Sequence, residues 1–116
     1  MSIVKQDYGE VGGRQSKYLL LTSPPSDLFI NLGFKPKQFI VAANVSSSGQ
    51  TFVDEHIYDA DTSETTALRR WTWSGTIQGL NYTIETGAVI SAITDLGIQL
   101  GGYANGFSQL EIFAIG

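Results

Sequence analysis

Apolar positions in this chain recur with period two more often than with the three-to-four spacing of a helix. Leu28, Ile30 and Leu32 alternate with Phe29 and Asn31, as in a strand that buries one face. Residues 17–22, 38–45, 51–58, 67–73, 76–80, 82–85 and 107–115 predict further strands from their branched and aromatic content. Between them, Ser23-Pro24-Pro25-Ser26 cannot continue a ladder, Ser46-Ser47-Ser48-Gly49 reads as a turn, and Ser74-Gly75 reads as a bend. Residues 59–66 are polar and acidic and read as a loop. Turn signals spaced roughly 8–12 residues apart point away from a parallel α/β fold. They predict an all-β chain, a single antiparallel β-sandwich of about seven to nine strands with at most one short helix.

One segment fits both periods. Val89, Ile90, Ile93, Leu96 and Leu100 carry helical spacing, whereas Ile90, Ala92 and Thr94 alternate. Residues 88–96 are thus a strand or a short helix, and the strand is preferred because a helix of about two turns is marginal. Gly9, Gly12 and Gly13, with few apolar anchors, predict a flexible N-terminal arm over residues 1–16 and leave 17–116 as the sandwich domain. The last strand stops within an apolar run and is expected to be held firmly in a sheet.

Composition narrows the function classes. Val, Ile, Thr, Phe, Tyr and Trp number 40 against 31 for Ala, Leu, Glu, Lys, Arg and Met, a balance that favours pleated structure. Leu, Ile, Val and Phe total 33 of 116 residues, enough for one modest core. With no cysteine there is no disulfide, thiol nucleophile or cysteine-type zinc site, and the lone His56 cannot supply a set of imidazoles. A net charge of −4 argues against nucleic acid as a partner. Neither a signal-peptide pattern nor a run of ~18 apolar residues is present, which predicts synthesis in a host cytoplasm without a transmembrane segment.

Two clusters are candidates for chemistry. Asp54, Glu55, Asp59, Asp61 and Glu64 surround His56, and Asp59-x-Asp61-x-Ser63 resembles the opening of a calcium loop. Glu64 then stands where that loop needs glycine, and Arg70 where it needs a bidentate glutamate. A solvated acidic loop is therefore preferred, with Asp54, Asp59 and Asp61 as weak metal candidates and no cofactor assigned. The second cluster is Arg69-Arg70-Trp71-Thr72-Trp73. On a strand Arg69, Trp71 and Trp73 share one face, where two indoles form a ridge suited to stacking on sugar rings or filling a partner's groove. The alternative is that both indoles fill the sandwich core while Arg69 emerges at its edge. No Gly-x-Ser-x-Gly elbow accompanies His56, no acid pair is marked as buried, and no catalytic residue is assigned.

The stretch Leu28-Phe29-Ile30-Asn31-Leu32-Gly33-Phe34-Lys35-Pro36-Lys37-Gln38-Phe39-Ile40-Val41 resembles a motif of small β-sandwich modules encoded by tailed phages and prophages. In these modules an alternating strand runs into Gly-Phe-x-Pro-Lys and then into an aliphatic strand. Asp95-Leu96-Gly97-Ile98-Gln99-Leu100, Gly106-Phe107 and residues 110–115 match their closing turn and strand. Gly33 would permit the bend, Phe34 plug the sandwich end, and Pro36 set the exit so that Phe39 and Val41 face inward. The whole chain is also similar to Bacillus prophage exported proteins related to a lytic exoenzyme with C2-like domains. That resemblance implies a ring-shaped homo-oligomer, with a pentamer as the candidate number, and raises calcium or lipid contact. It also implies a non-enzymatic structural or adhesive virion component whose partners are itself, other phage proteins or the host surface, released at lysis. The alternatives are a lysis accessory acting at the host membrane or cell wall, and a glycan-binding module.

Overall fold

The computed structural model describes residues 2–25, 27–47, 50–62, 67–74, 77–84, 90–101 and 108–116. Within them the alternating segments all extend as strands: β1 (Ser2–Val11), β2 (Arg14–Thr22), β3 (Phe29–Asn31), β4 (Gln38–Ser47), β5 (Gln50–Asp59), β6 (Ala67–Ser74), β7 (Ile77–Ile84), β8 (Ile90–Thr94), β9 (Gly97–Leu100) and β10 (Gln109–Ile115). Every pairing is antiparallel. Seven strands form one sheet in the order β1-β2-β10-β4-β5-β6-β7, and β3-β9-β8 form a second. The expected all-β sandwich is the fold observed.

The two sheets meet where the sequence alternates most strongly. Leu19 and Leu21 of β2, Leu110, Ile112 and Ala114 of β10, and Phe39, Val41 and Ala43 of β4 line the inner face of the large sheet. Ile30, Leu32, Ile98 and Leu100 close on them from the small sheet. Stripping this much apolar surface from water is the main favourable term in folding. The segment joining β3 to β4 behaves as its residue types dictate. Gly33 turns the chain at φ +80°, Phe34 and Pro36 are buried, and Phe39 and Val41 enter the core.

Residues 1–16 differ from the flexible arm that their glycines suggest. Gly12 and Gly13 take φ of +60° and +80°, the paired left-handed conformation of a two-residue hairpin turn. They join β1 to β2 in a ladder that runs from Ser2↔Thr22 to Val11↔Arg14. Ile77–Ile84 form one strand, β7, where two short ones are expected, and Ile90–Thr94 are strand with no helix among the described residues. The strand count rises to ten because the hairpin adds β1 and the small sheet adds β9. Parts of the expected turns (Ser48-Gly49, Gly75), the acidic loop from Ser63 to Thr66, and Gly106-Phe107 lie outside the described residues. No helix among the described residues is long and apolar enough to cross a membrane.

Candidate functional site

The small sheet covers only one side of the large one. The opposite, outer face is read row by row from the strand registers. One row runs Asp7, Tyr18, Phe113, Ile40, Ile57, Ala67 across six strands, and the next runs Lys5, Leu20, Glu111, Ala42, Glu55, Arg69. A third begins Thr22, Gln109, Asn44, Val53, Trp71. The first row is apolar at its centre, where Phe113 is 42% and Ile40 38% exposed. Gln38, Ile40, Ile57, Asp59, Phe113 and Ile115 line a shallow cavity of about 290 Å³ there. Phe113 and Ile40 thus lie side by side with their rings and branches partly in water.

Beside the cavity, β5 and β6 put four charges in mirrored order. Glu55 pairs with Arg69 across the ladder, and Asp54 pairs with Arg70. On the outer face Arg69 Nε and Nη2 donate to the two Glu55 oxygens at 2.9 and 3.0 Å, and Trp71 Nε1 donates to Glu55 Oε1 at 2.6 Å. The Arg69 guanidinium lies 6.0 Å from the Trp71 ring centroid. Trp71 is thus half-buried on the outer face, braced by Glu55, and is not part of the core between the sheets. Trp73 holds the register position opposite Thr51.

On the other face the buried Asp54 accepts from Arg70 Nε and Nη2 at 2.7 and 2.8 Å. The Arg70 guanidinium lies 5.2 Å from the Phe52 ring centroid. His56, also buried, stands opposite Val41 and Leu68. The hydrogen bond to Asp54 raises the Arg70 pKa, against the desolvation that lowers it. A buried carboxylate whose two oxygens both receive a guanidinium fork is satisfied and charge-balanced.

The three weak metal candidates are not brought together. Asp54 and Asp59, five residues apart on β5, point to opposite faces. Asp59 lies at the end of β5, where Oδ1 accepts the Asp61 backbone N–H at 3.0 Å and Oδ2 the Gln38 amide at 3.3 Å. Asp54 thus braces a strand pairing, and Asp59 a turn and a neighbouring strand. Among the described residues no group of three His, Cys, Asp or Glu could hold a metal ion.

No family model, curated protein or solved structure matches this chain.

Sequence reading missed Glu55 as a partner of the Arg-Trp cluster. The signal was there: an Asp54-Glu55 pair followed by an Arg69-Arg70 pair is the mirror order that an antiparallel hairpin brings face to face. The bonded Arg69 guanidinium holds the Glu55 carboxyl below its ordinary 4.5, partial burial pushes it upward, and the Trp71 N–H and the Arg69 charge lower it again. A depressed carboxylate stabilises the fold fully above its unfolded pKa, and that stability is lost as pH falls through the folded value. Glu55→Gln is expected to cost about 1 kcal/mol at pH 7. It should also flatten the decline in stability below pH 4.5. Urea midpoints for both proteins at pH 7 and at pH 3, read by tryptophan emission, check this; parallel pH profiles would show that the brace carries no stability.

Proposed function

We propose that this chain is a non-enzymatic β-sandwich that works by associating with copies of itself, as a structural or adhesive component of a tailed-phage or prophage virion. The observation that carries the reading is the outer face of the large sheet, where Phe113, Ile40 and Ile57 lie in one row with no second layer over them among the described residues. Symmetric assemblies cover such faces at low cost because one patch serves twice. The resemblance of residues 28–41 to phage sandwich modules supplies the biological setting. In this reading Arg69 and Trp71 brace the sheet, since the polar groups that a sugar would need already bond to Glu55.

Light scattering on the eluting peak of a sizing column, at micromolar concentration, tests it. A mass of two or more chains is expected. A monomer across that range would sink the proposal, because a virion part that cannot hold its own copies at such concentrations has no assembly to build.

A further inference from the structure

β1 is an edge strand of the seven-stranded sheet. All ten of its residues are exposed, and among the described residues it pairs with β2 alone. Ile3, Val4, Tyr8 and Val11 are 46–66% exposed, and the outward edge presents alternate N–H and C=O groups with no ladder to join. A two-stranded ribbon extending from a sheet is marginal by itself. Natural edges are usually short or covered, and this one spans ten residues.

We propose that β1 pairs antiparallel with β1 of a second copy across a two-fold axis at Gln6, so that the two seven-stranded sheets become one. The proposal rests on the self-association reading above and adds to it a joint at the sheet edge, apart from the outer face.

The sequence of β1 selects the register. Lys5 stands opposite Leu20 and Asp7 opposite Tyr18, so both lie on the outer face, and they already approach each other at 3.5 Å along the strand. A two-fold axis perpendicular to a sheet keeps outer faces together, so residues oppose only others on their own face. With the axis at Gln6, Lys5 faces the partner's Asp7 and Asp7 faces the partner's Lys5. Sliding by one step to either side stacks Lys5 on the partner's Lys5, or Asp7 on the partner's Asp7. Opposite charges across a ladder attract and like charges repel, so only the Gln6 register of these three is favourable.

The ladder shifts between Ile3 and Lys5, which leaves Val4 out of step with β2 and ends the regular stretch there, so the pairing about Gln6 is regular from Lys5 to Asp7 of each copy. Two-fold pairing also uses up the free edge of both copies, so the contact closes and does not propagate. An assembly built through it contains an even number of chains, unlike the pentamer that the family resemblance implies. It also sets the two outer faces on the same side of one joined sheet.

Charge reversal tests the register. Lys5→Asp places four acids around the axis and Asp7→Lys four bases, and each is expected to weaken association roughly tenfold or more. The double variant Lys5→Asp with Asp7→Lys restores both opposite pairs and is expected to associate as the wild type does. An equimolar mixture of the two single variants is expected to regain the dimer, because each supplies the charges that the other lacks. That regain also proves both variants folded. Masses are read by light scattering, with far-ultraviolet dichroism alongside.

A monomeric wild type overturns both this inference and the self-association reading. An oligomeric wild type whose single variants keep its mass, or which forms a pentamer, overturns the β1 joint and leaves self-association standing. Single variants that dissociate and do not recombine when mixed overturn the Gln6 register and the proposal with it.

Discussion

Gly97→Ala is expected to cost at least about 3 kcal/mol and Gly97→Val to abolish the native fold. Gly97 opens β9 opposite Asn31 of β3. A β-carbon there would press into the carbonyl oxygen of Ile30, 3.0 Å from its carbonyl carbon and 3.2 Å from the amide nitrogen of Leu32. All of these are backbone atoms, so no side-chain rotation relieves the clash. The three-residue β3 would have to step away from β9, its only partner, and withdraw Ile30 and Leu32 from the core. The Leu96 carbonyl, which accepts N–H groups from Leu32 and Gly33 at 2.8 and 3.1 Å, would lose its bonds in the same movement. Urea midpoints give the answer. A Gly97→Ala protein within 1 kcal/mol of wild type, roughly the median for any substitution, would mean that the two strands are not held this closely.

The second large effect comes from two neighbours on β10. Ile112 is completely buried, paired with Leu19 on one side and Val41 on the other, whereas Phe113 next to it points to the outer face and is 42% exposed. Ile112→Ala removes a branched side chain from a packed interior and leaves a cavity, at an expected cost of about 3–4 kcal/mol. Phe113→Ala deletes more atoms but from a surface already in water, and should cost about 1 kcal/mol or less in the isolated chain. Thermal or chemical unfolding of the two variants measures the ratio directly. Equal costs would mean that the outer face is packed against something in the free protein and that the two sides of the sheet are not distinct.

How much of this was legible depends on the range of the information. Local alternation marked β3, β4 and β5 well, because each has one buried face and a polar or glycine-bearing break at its end. Residues 28–37 carried their own geometry, since Gly33 and Pro36 constrain the backbone whatever surrounds them. β1 was hidden for the opposite reason. Its residues are exposed on both faces, so no burial pattern marked it, and only the Gly12-Gly13 turn betrayed the hairpin. At the candidate site, composition and period showed that Arg69 and Trp71 share a side. Which side, and that Glu55 holds them, required the pairing of β5 with β6. The charge order Asp54-Glu55 against Arg69-Arg70 encoded that pairing, but only as a relation between two distant segments. Spacing along a strand also says nothing of the face, and the metal candidates Asp54 and Asp59 lie on opposite ones.

The position of β10 bears on how the protein is made. The tenth strand in chain order sits in the middle of the seven-stranded sheet, between β2 and β4. While the ribosome is still adding residues, β2 and β4 have no common neighbour, and the gap between them cannot close until residues 109–115 have emerged. Until then the nascent chain displays two hydrophobic edges that could zip onto each other or onto another chain. Contacts this far apart in sequence also make for slow folding. Completion of that sheet thus waits for residues 109–115, made long after the two strands they join.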